Sequence, residues 1–208
     1  MDKGYAGERR SLISEKAIPL AEAGIPKGGT VYLAASDGEL MVSFIQSNYM
    51  GFGSGILIPD TGIALHNRGL GFSLEAGHPN QVDGGKRPFH TIIPGFITKD
   101  GKPLGPFGVM GGPMQPQGHL QVIVNLADYG MNPQAALDAP RWHFVSGKRV
   151  FLEEAVAKNI GEELGERGHE VRVTEDATLF GKGQIILRQG NVLFAASEPR
   201  ADGMALAY

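Results

Sequence analysis

The chain has 208 residues, 42% hydrophobic and 20% charged, with a formal net charge of −3 at pH 7. That is the composition of a globular domain large enough for a core of its own. It contains no basic block of the kind that grips nucleic acid, no cysteine for a disulfide, thiolate metal site or thiol nucleophile, and no apolar run of membrane-spanning length. No secretory h-region follows Met1, which makes the cytoplasm the default compartment, and neither nucleic acid nor membrane is an expected partner.

Residues 1–29 differ from the rest of the chain. Arg9, Arg10, Glu15 and Lys16 are scattered among Ala and Gly, and Pro19, Pro26 and Gly28-Gly29 close the segment. The pattern predicts a short helix at residues 8–13 and then an irregular linker, an arm or tail without a core. From Thr30 the pattern turns to strands. Residues 30–35 and 40–47 flank the hairpin-type turn Ser36-Asp37-Gly38-Glu39. Residues 56–59 and 62–67 flank Asp60-Thr61. Residues 89–98 form a long apolar run, expected as one strand containing His90 and followed by the turn Lys99-Asp100-Gly101. Residues 187–194 carry a turn at Gly190-Asn191. Strands this apolar, without clean alternation, are expected to be covered on both faces.

Helices are expected in the second half. Leu120, Ile123, Val124 and Ala127 recur at helical spacing before Gly130, placed as a C-cap. Pro133-Gln134-Ala135-Ala136-Leu137 opens a short helix with Asn132 as its cap. In residues 153–168, Val156, Ile160 and Leu164 repeat every four positions, with Glu162, Glu163 and Glu166 on the other face. Strands followed by helices predict sheets with helical layers outside them, an α+β architecture.

Several places offer chemistry. In Gly28-Gly29-Thr30, a cut before Thr30 would put a free α-amine beside a hydroxyl and make the threonine a nucleophile; uncut, Thr30 is the first residue of a strand. Gly51-Phe52-Gly53-Ser54-Gly55 looks like a phosphate loop but lacks both the dinucleotide spacing and Gly-Lys-Ser/Thr. It reads as a substrate-facing loop or a plain connection. Gly111-Gly112 precedes a helix, where backbone N–H groups could hold an oxyanion or merely form a turn. The six histidines, His66, His78, His90, His119, His143 and His169, contain no zinc-helix spacing. No metal and no cofactor is expected. Arg68 and Arg87 sit at loop ends, where an arginine is either solvated or grips a carboxylate.

In their order, these segments resemble the catalytic small subunit of the gamma-glutamyltranspeptidase family, a branch of the N-terminal nucleophile hydrolases. The matching pieces are Thr30 at the strand opening, Asp37-Gly38, Val42-Ser43, Phe52-Gly53-Ser54-Gly55-Ile56, Gly62-Ile63 leading to Asn67, Arg87-Pro88 and Pro94, Gly111-Gly112, Leu137-Asp138-Ala139-Pro140-Arg141, and Glu198-Pro199-Arg200-Ala201-Asp202-Gly203. The resemblance implies a precursor that cuts itself between Gly29 and Thr30. Residues 1–29 would be the tail of the large subunit and residues 30–208 the small catalytic subunit. The implied fold is a four-layer αββα sandwich, incomplete without the large subunit. Thr30 would be the nucleophile, Gly111 and Gly112 the oxyanion hole, and Ser47 the second hydroxyl on the neighbouring strand.

The same resemblance exposes departures. Tyr49 stands where the transpeptidases have an Asn contacting the glutamyl group. Arg68 and Gly71 replace the Gln and Asp that follow Asn67 and hold the α-amino group, and His90-Thr91 replaces a Ser pair that holds the α-carboxylate. Without an acid at position 71, an α-ammonium loses its charge partner and meets Arg68 instead. The pocket formed by Tyr49, Asn67, Arg68, His90 and Thr91 is therefore expected to prefer glutaryl-like over gamma-glutamyl amides, as in acylases. The alternative is a non-catalytic fragment or stand-alone homologue that acts as an assembly partner. Either way, uncovered apolar strands imply a missing large subunit or a homo-oligomer.

Overall fold

The computed structural model describes residues 3–11 and 29–207. Helix α1 (Lys3–Ser11) comes first. It starts earlier than the helix expected at residues 8–13; Leu12, Ile13 and the linker through Gly28 lie outside the described residues. The hairpin β1 (Thr30–Ser36) and β2 (Met41–Ser47) follows, then the two-residue strands β3 (Leu57–Ile58) and β4 (Ile63–Ala64). Next come β5 (Gly95–Lys99), β6 (Lys102–Met110), α2 (Gln115–Ala127) and α3 (Pro133–Asp138). The chain ends with β7 (Trp142–Ser146), β8 (Arg149–Leu152), α4 (Glu154–Glu166), β9 (Glu170–Val173), β10 (Lys182–Gln189) and β11 (Val192–Ser197).

Local chemistry explains the main turns and caps. The Asp37 carboxylate accepts from the Glu39 and Leu40 amides at 2.9 and 2.8 Å, closing the β1–β2 turn. Asn132 accepts from the Ala135 amide and caps α3, with Pro133 in its first turn. Gly130, at φ 62, turns the chain after α2, and the Met131 amide donates back to the Asn125 carbonyl.

The central sheet has the order β11-β10-β6-β5, all antiparallel. Helices α2 and α3 cover one face, where Val122 and Leu137 pack on Phe107, Val109, Ile185 and Ala196. Each of the larger side chains, Ala196 apart, contributes about 1.5–3 kcal/mol on burial. The β1–β2 hairpin lies on the other face. Tyr32 of β1 packs on Gly108 of β6, where a Cβ would stand 2.4 Å from the tyrosine ring. Burial pushes the Tyr32 phenol up to about 12, although its oxygen shares a 2.8 Å hydrogen bond with Ser43.

Helices, sheet and second sheet form a mixed α/β sandwich, as the αββα expectation requires. The outward face of β1–β2 is bare: Val31 is 55% exposed, and Leu33, Val42 and Phe44 are exposed with it. A third sheet, β7-β8-β9, is attached to this body. Strands β8 and β9 are parallel and joined by α4, which packs on both.

Glutamines fasten helices to strand edges. On α2, Gln121 accepts from the Trp142 amide and donates to its carbonyl, both at 3.0 Å. Gln117 does the same for Phe144, at 2.8 and 2.9 Å. The fit is geometric: four residues of helix rise about 6 Å, and two residues of strand span about 6.8 Å. On α3, Gln134 brackets Ser197 of β11 in the same way, at 2.9 and 3.2 Å. Side-chain amides thus stand in for a neighbouring strand and blunt edges that would otherwise be open.

Several expectations need correction. Residues 89–98 do not form one strand; only Gly95–Lys99 does, and His90 lies in an irregular, exposed stretch. Prolines 88 and 94 bound that stretch, and its backbone is tied by side chains instead of a ladder. Residues 65–67 are likewise not strand. Strands β6 to β9 were not expected, and they break the simple order of strands before helices.

Candidate active site

Thr30 opens β1, half-buried, directly opposite Ser47 in the β1–β2 register. The Ser47 hydroxyl accepts from the Tyr49 amide at 2.8 Å, which turns the chain back at the end of β2. Tyr49 sits at φ 76, a left-handed conformation that costs a non-glycine residue about 1–2 kcal/mol. Its carbonyl presses on the residue before Thr30: a Cβ on Gly29 would lie 2.9 Å from the Tyr49 oxygen. The Gly29–Thr30 junction is therefore seated against the strained turn, and glycine is the residue that fits.

The tyrosine two residues after Thr30 reaches the end of β6. Its amide donates to the Met110 sulfur at 3.1 Å, and Gly111 follows Met110. Thr30 and Gly111 are thus each one or two residues from that contact. Gly111 (φ 152) and Gly112 (φ 58) occupy conformations that side chains resist. The turn closes through the Met114 amide onto the Gly111 carbonyl, a bond that uses neither glycine N–H.

Beyond Tyr49 lies a cavity of about 540 Å³ lined by His66, Arg68, Gly69, Phe72, Arg87, Pro88 and His90. Four of these are basic and none is acidic. Arg68 is 6% exposed. Its guanidinium lies 5.2 Å over the Tyr49 ring and donates to the Thr91 hydroxyl at 3.4 Å. Its Nε is buried without a hydrogen-bond partner among the described residues. Burial lowers the Arg68 pKa from its ordinary value. Burial and the charge of Arg68 also lower that of His90, whose Nδ1 accepts from the Ile92 amide. The structure thus brings Thr30, Ser47, Tyr49, Arg68, His90 and Thr91 into one connected region. Asn67 has a different place: its side-chain oxygen accepts from the Met50 amide at 3.1 Å and holds the loop.

The glycine loop at residues 51–55 is a packing feature. Gly53, at φ 73, passes so close to Leu65 that a Cβ would meet its carbonyl at 2.2 Å. The Gly53 and Ser54 amides donate to the Met50 and Leu65 carbonyls, so these donors are already committed. A nucleotide site there loses its basis. Among the described residues no group of three His, Cys, Asp or Glu side chains is placed to hold a metal, and no helix is long and apolar enough to cross a membrane.

The model of the gamma-glutamyltranspeptidase family matches residues 1–208. The chain belongs to this family. Its fold is that of the N-terminal nucleophile hydrolases, and it is similar to a cephalosporin acylase from Bacillus halodurans, at TM-score 0.80 and 54% identity over 100% of this chain and 38% of that one. It is 38% identical to the glutathione hydrolase-like YwrD proenzyme of Bacillus subtilis over 99% of its own length and 41% of the relative's. It is 36% identical to the oxamate amidohydrolase proenzyme of Klebsiella pneumoniae over 87% and 36%. The chain therefore spans between 36% and 41% of these two curated relatives.

Two motifs that signal the gamma-glutamyltranspeptidase family form one buried assembly, a connection that the sequence alone does not reveal. Arg141, 1% exposed, donates to Glu198 at 2.7 Å and to the Leu137, Phe180 and Gly181 carbonyls. Arg200 bridges Glu198 and Glu153, at 2.5 and 2.6 Å. Burial raises the Glu153 pKa, but the Arg200 hydrogen bond, the Arg141 amide and the two arginine charges outweigh it and bring it below the ordinary value. The assembly ties α3, β8 and β11 together behind the site.

Proposed function

We propose that this chain carries the catalytic part of an amidohydrolase or acyltransferase that is cut between Gly29 and Thr30, leaving residues 30–208 as a small subunit and residues 1–29 as the end of a large one. The observation that carries the reading is the seat of Thr30: first in its strand, opposite Ser47, preceded by a glycine pressed on the Tyr49 carbonyl, and linked through Met110 to the Gly111–Gly112 turn. Family membership supports it, as does the word proenzyme in the relatives' names.

In this mechanism the new α-amine takes the proton as the Thr30 hydroxyl oxygen attacks the amide carbon. The Gly111 and Gly112 N–H groups donate to the developing oxyanion. Collapse breaks the C–N bond, the leaving amine takes the proton, and the acyl group stays as an ester on Thr30. Water, or an acceptor amine, then attacks that ester and restores the hydroxyl.

The basic cavity gives the acyl preference. Arg68, with Arg87, His66 and His90 around it, suits an acyl chain ending in a carboxylate, as in glutaryl amides, and opposes an α-ammonium. Oxamate, named for the Klebsiella relative, likewise carries a carboxylate and no ammonium. The bare face of Val31, Leu33, Val42 and Phe44 is where the large subunit supplies the fourth layer.

Intact mass and N-terminal sequencing of the active protein test the reading. A chain beginning at Thr30 is expected, and Thr30→Ala leaves the precursor uncut and idle. Full activity from a chain still joined at Gly29, or from Thr30→Ala, ends the proposal.

A further inference from the structure

The Gly111–Gly112 turn and the basic cavity are far apart in sequence, yet α2 connects them. The helix begins directly after the turn: a 3₁₀ segment, Gly112–Met114, runs into Gln115. Gln115 is fully buried, and its side-chain oxygen accepts from the Ile93 amide at 3.2 Å. One turn later, the buried His119 places Nε2 2.9 Å from the Ile93 carbonyl and Nδ1 2.7 Å from the Gln115 carbonyl. The Phe107 ring of β6, 5.1 Å away, packs on the imidazole. With its proton on Nε2 the His119 ring donates to the Ile93 carbonyl, and in that tautomer both backbone polar groups of Ile93 are held from α2. Thr91, two residues earlier, receives Arg68, and His90 lines the cavity.

Apolar side chains could fill this space without imposing a direction. Instead two polar side chains are buried here, and Gln115 keeps its Nε2 without a hydrogen-bond partner among the described residues, a cost that buried amides normally avoid. Hydrogen bonds to the N–H and C=O of one residue, on two consecutive peptide planes, fix position and orientation together.

We propose that Gln115 and His119 are positioning residues that set the span from the Gly111–Gly112 turn to the Arg68 cavity, and so decide which length of carboxylate-ended acyl chain is hydrolysed. The inference rests on the amidase reading above. A rigid span matters because the carboxylate end and the reacting carbonyl must be seated at once, and a misplacement of about 1 Å can cost about a hundredfold in rate.

The test uses the complete processed enzyme with succinyl, glutaryl and adipyl anilides. The wild type is expected to prefer one length. His119→Leu should shrink the kcat/KM ratio of best to next-best length by about tenfold, mainly through kcat on the best substrate. His119→Gln, whose amide can still donate to the Ile93 carbonyl, should restore most of it. Gln115→Met, similar in size but without an acceptor for Ile93, should act like His119→Leu and serves if that variant does not fold. An equal loss on all three anilides, an unchanged ratio in a folded variant, or a wild type indifferent to length overturns the proposal while leaving the amidase reading intact. A processed wild type idle on every anilide sinks the amidase reading and this inference with it.

Discussion

Arg141 and Arg68 are both buried, and their surroundings are opposite. Arg141 donates to the Glu198 carboxylate and three carbonyls, with Arg200 and Glu153 extending the network. Arg68 has one hydroxyl at 3.4 Å, an aromatic ring, and an Nε without a hydrogen-bond partner among the described residues. A buried charge lacking a countercharge costs stability. The region around Arg141 satisfies its charges internally and is frame. The region around Arg68 holds a cation with no carboxylate among the residues lining its cavity.

Leucine at each position separates the two. Arg141→Leu leaves Glu198 buried with Arg200 and the Gly183 amide but without its closest cation on Oε2, and should cost about 3–5 kcal/mol in urea unfolding. Arg68→Leu should leave the unfolding midpoint unchanged or raise it, yet increase KM for a glutaryl anilide about ten- to a hundredfold, the loss of one or two charge-assisted hydrogen bonds. Equal effects of the two on stability would erase the distinction. A smaller change is expected at a neutral contact: Gln121→Leu, which strands the Trp142 amide and carbonyl, should cost about 1–3 kcal/mol. The smallest concerns acid. Glu153 has a folded pKa below its ordinary value of 4.5. Its contribution is therefore full above about pH 4.5 and is lost as pH falls through the folded value. Thermal midpoints recorded downward from neutral pH should drop in that window, and the drop should shrink in Glu153→Gln.

The sequence made the β1–β2 hairpin legible because Asp37-Gly38 closes it and apolar residues run on both sides. It made α3 and α4 legible through cap and period. Strand β6 was hidden by Pro103, Gly105, Pro106 and Gly108, residues that argue against a strand one at a time. The two glycines are there because neighbours come close: a Cβ on Gly105 would meet the Ile186 carbonyl at 1.9 Å, and one on Gly108 the Tyr32 ring. The start of α2 was hidden by Pro116 and Gly118, although proline is at home in a first turn. The roles proposed for Thr30, Ser47 and Arg68 come from the resemblance, and the pairing of Thr30 with Ser47 follows from the hairpin register. That Asn67 braces a loop, and that Arg141 meets Glu198, depends on tertiary packing between residues far apart in the chain.

The glutamine brackets of α2 and α3 carry no net charge and do not titrate. Protons leave them alone, whereas acid weakens the Glu153–Arg200 end of the Arg141 network. Acidified solution should therefore loosen that junction first and leave β7 clipped to its helix, giving the molecule a fixed order of coming apart.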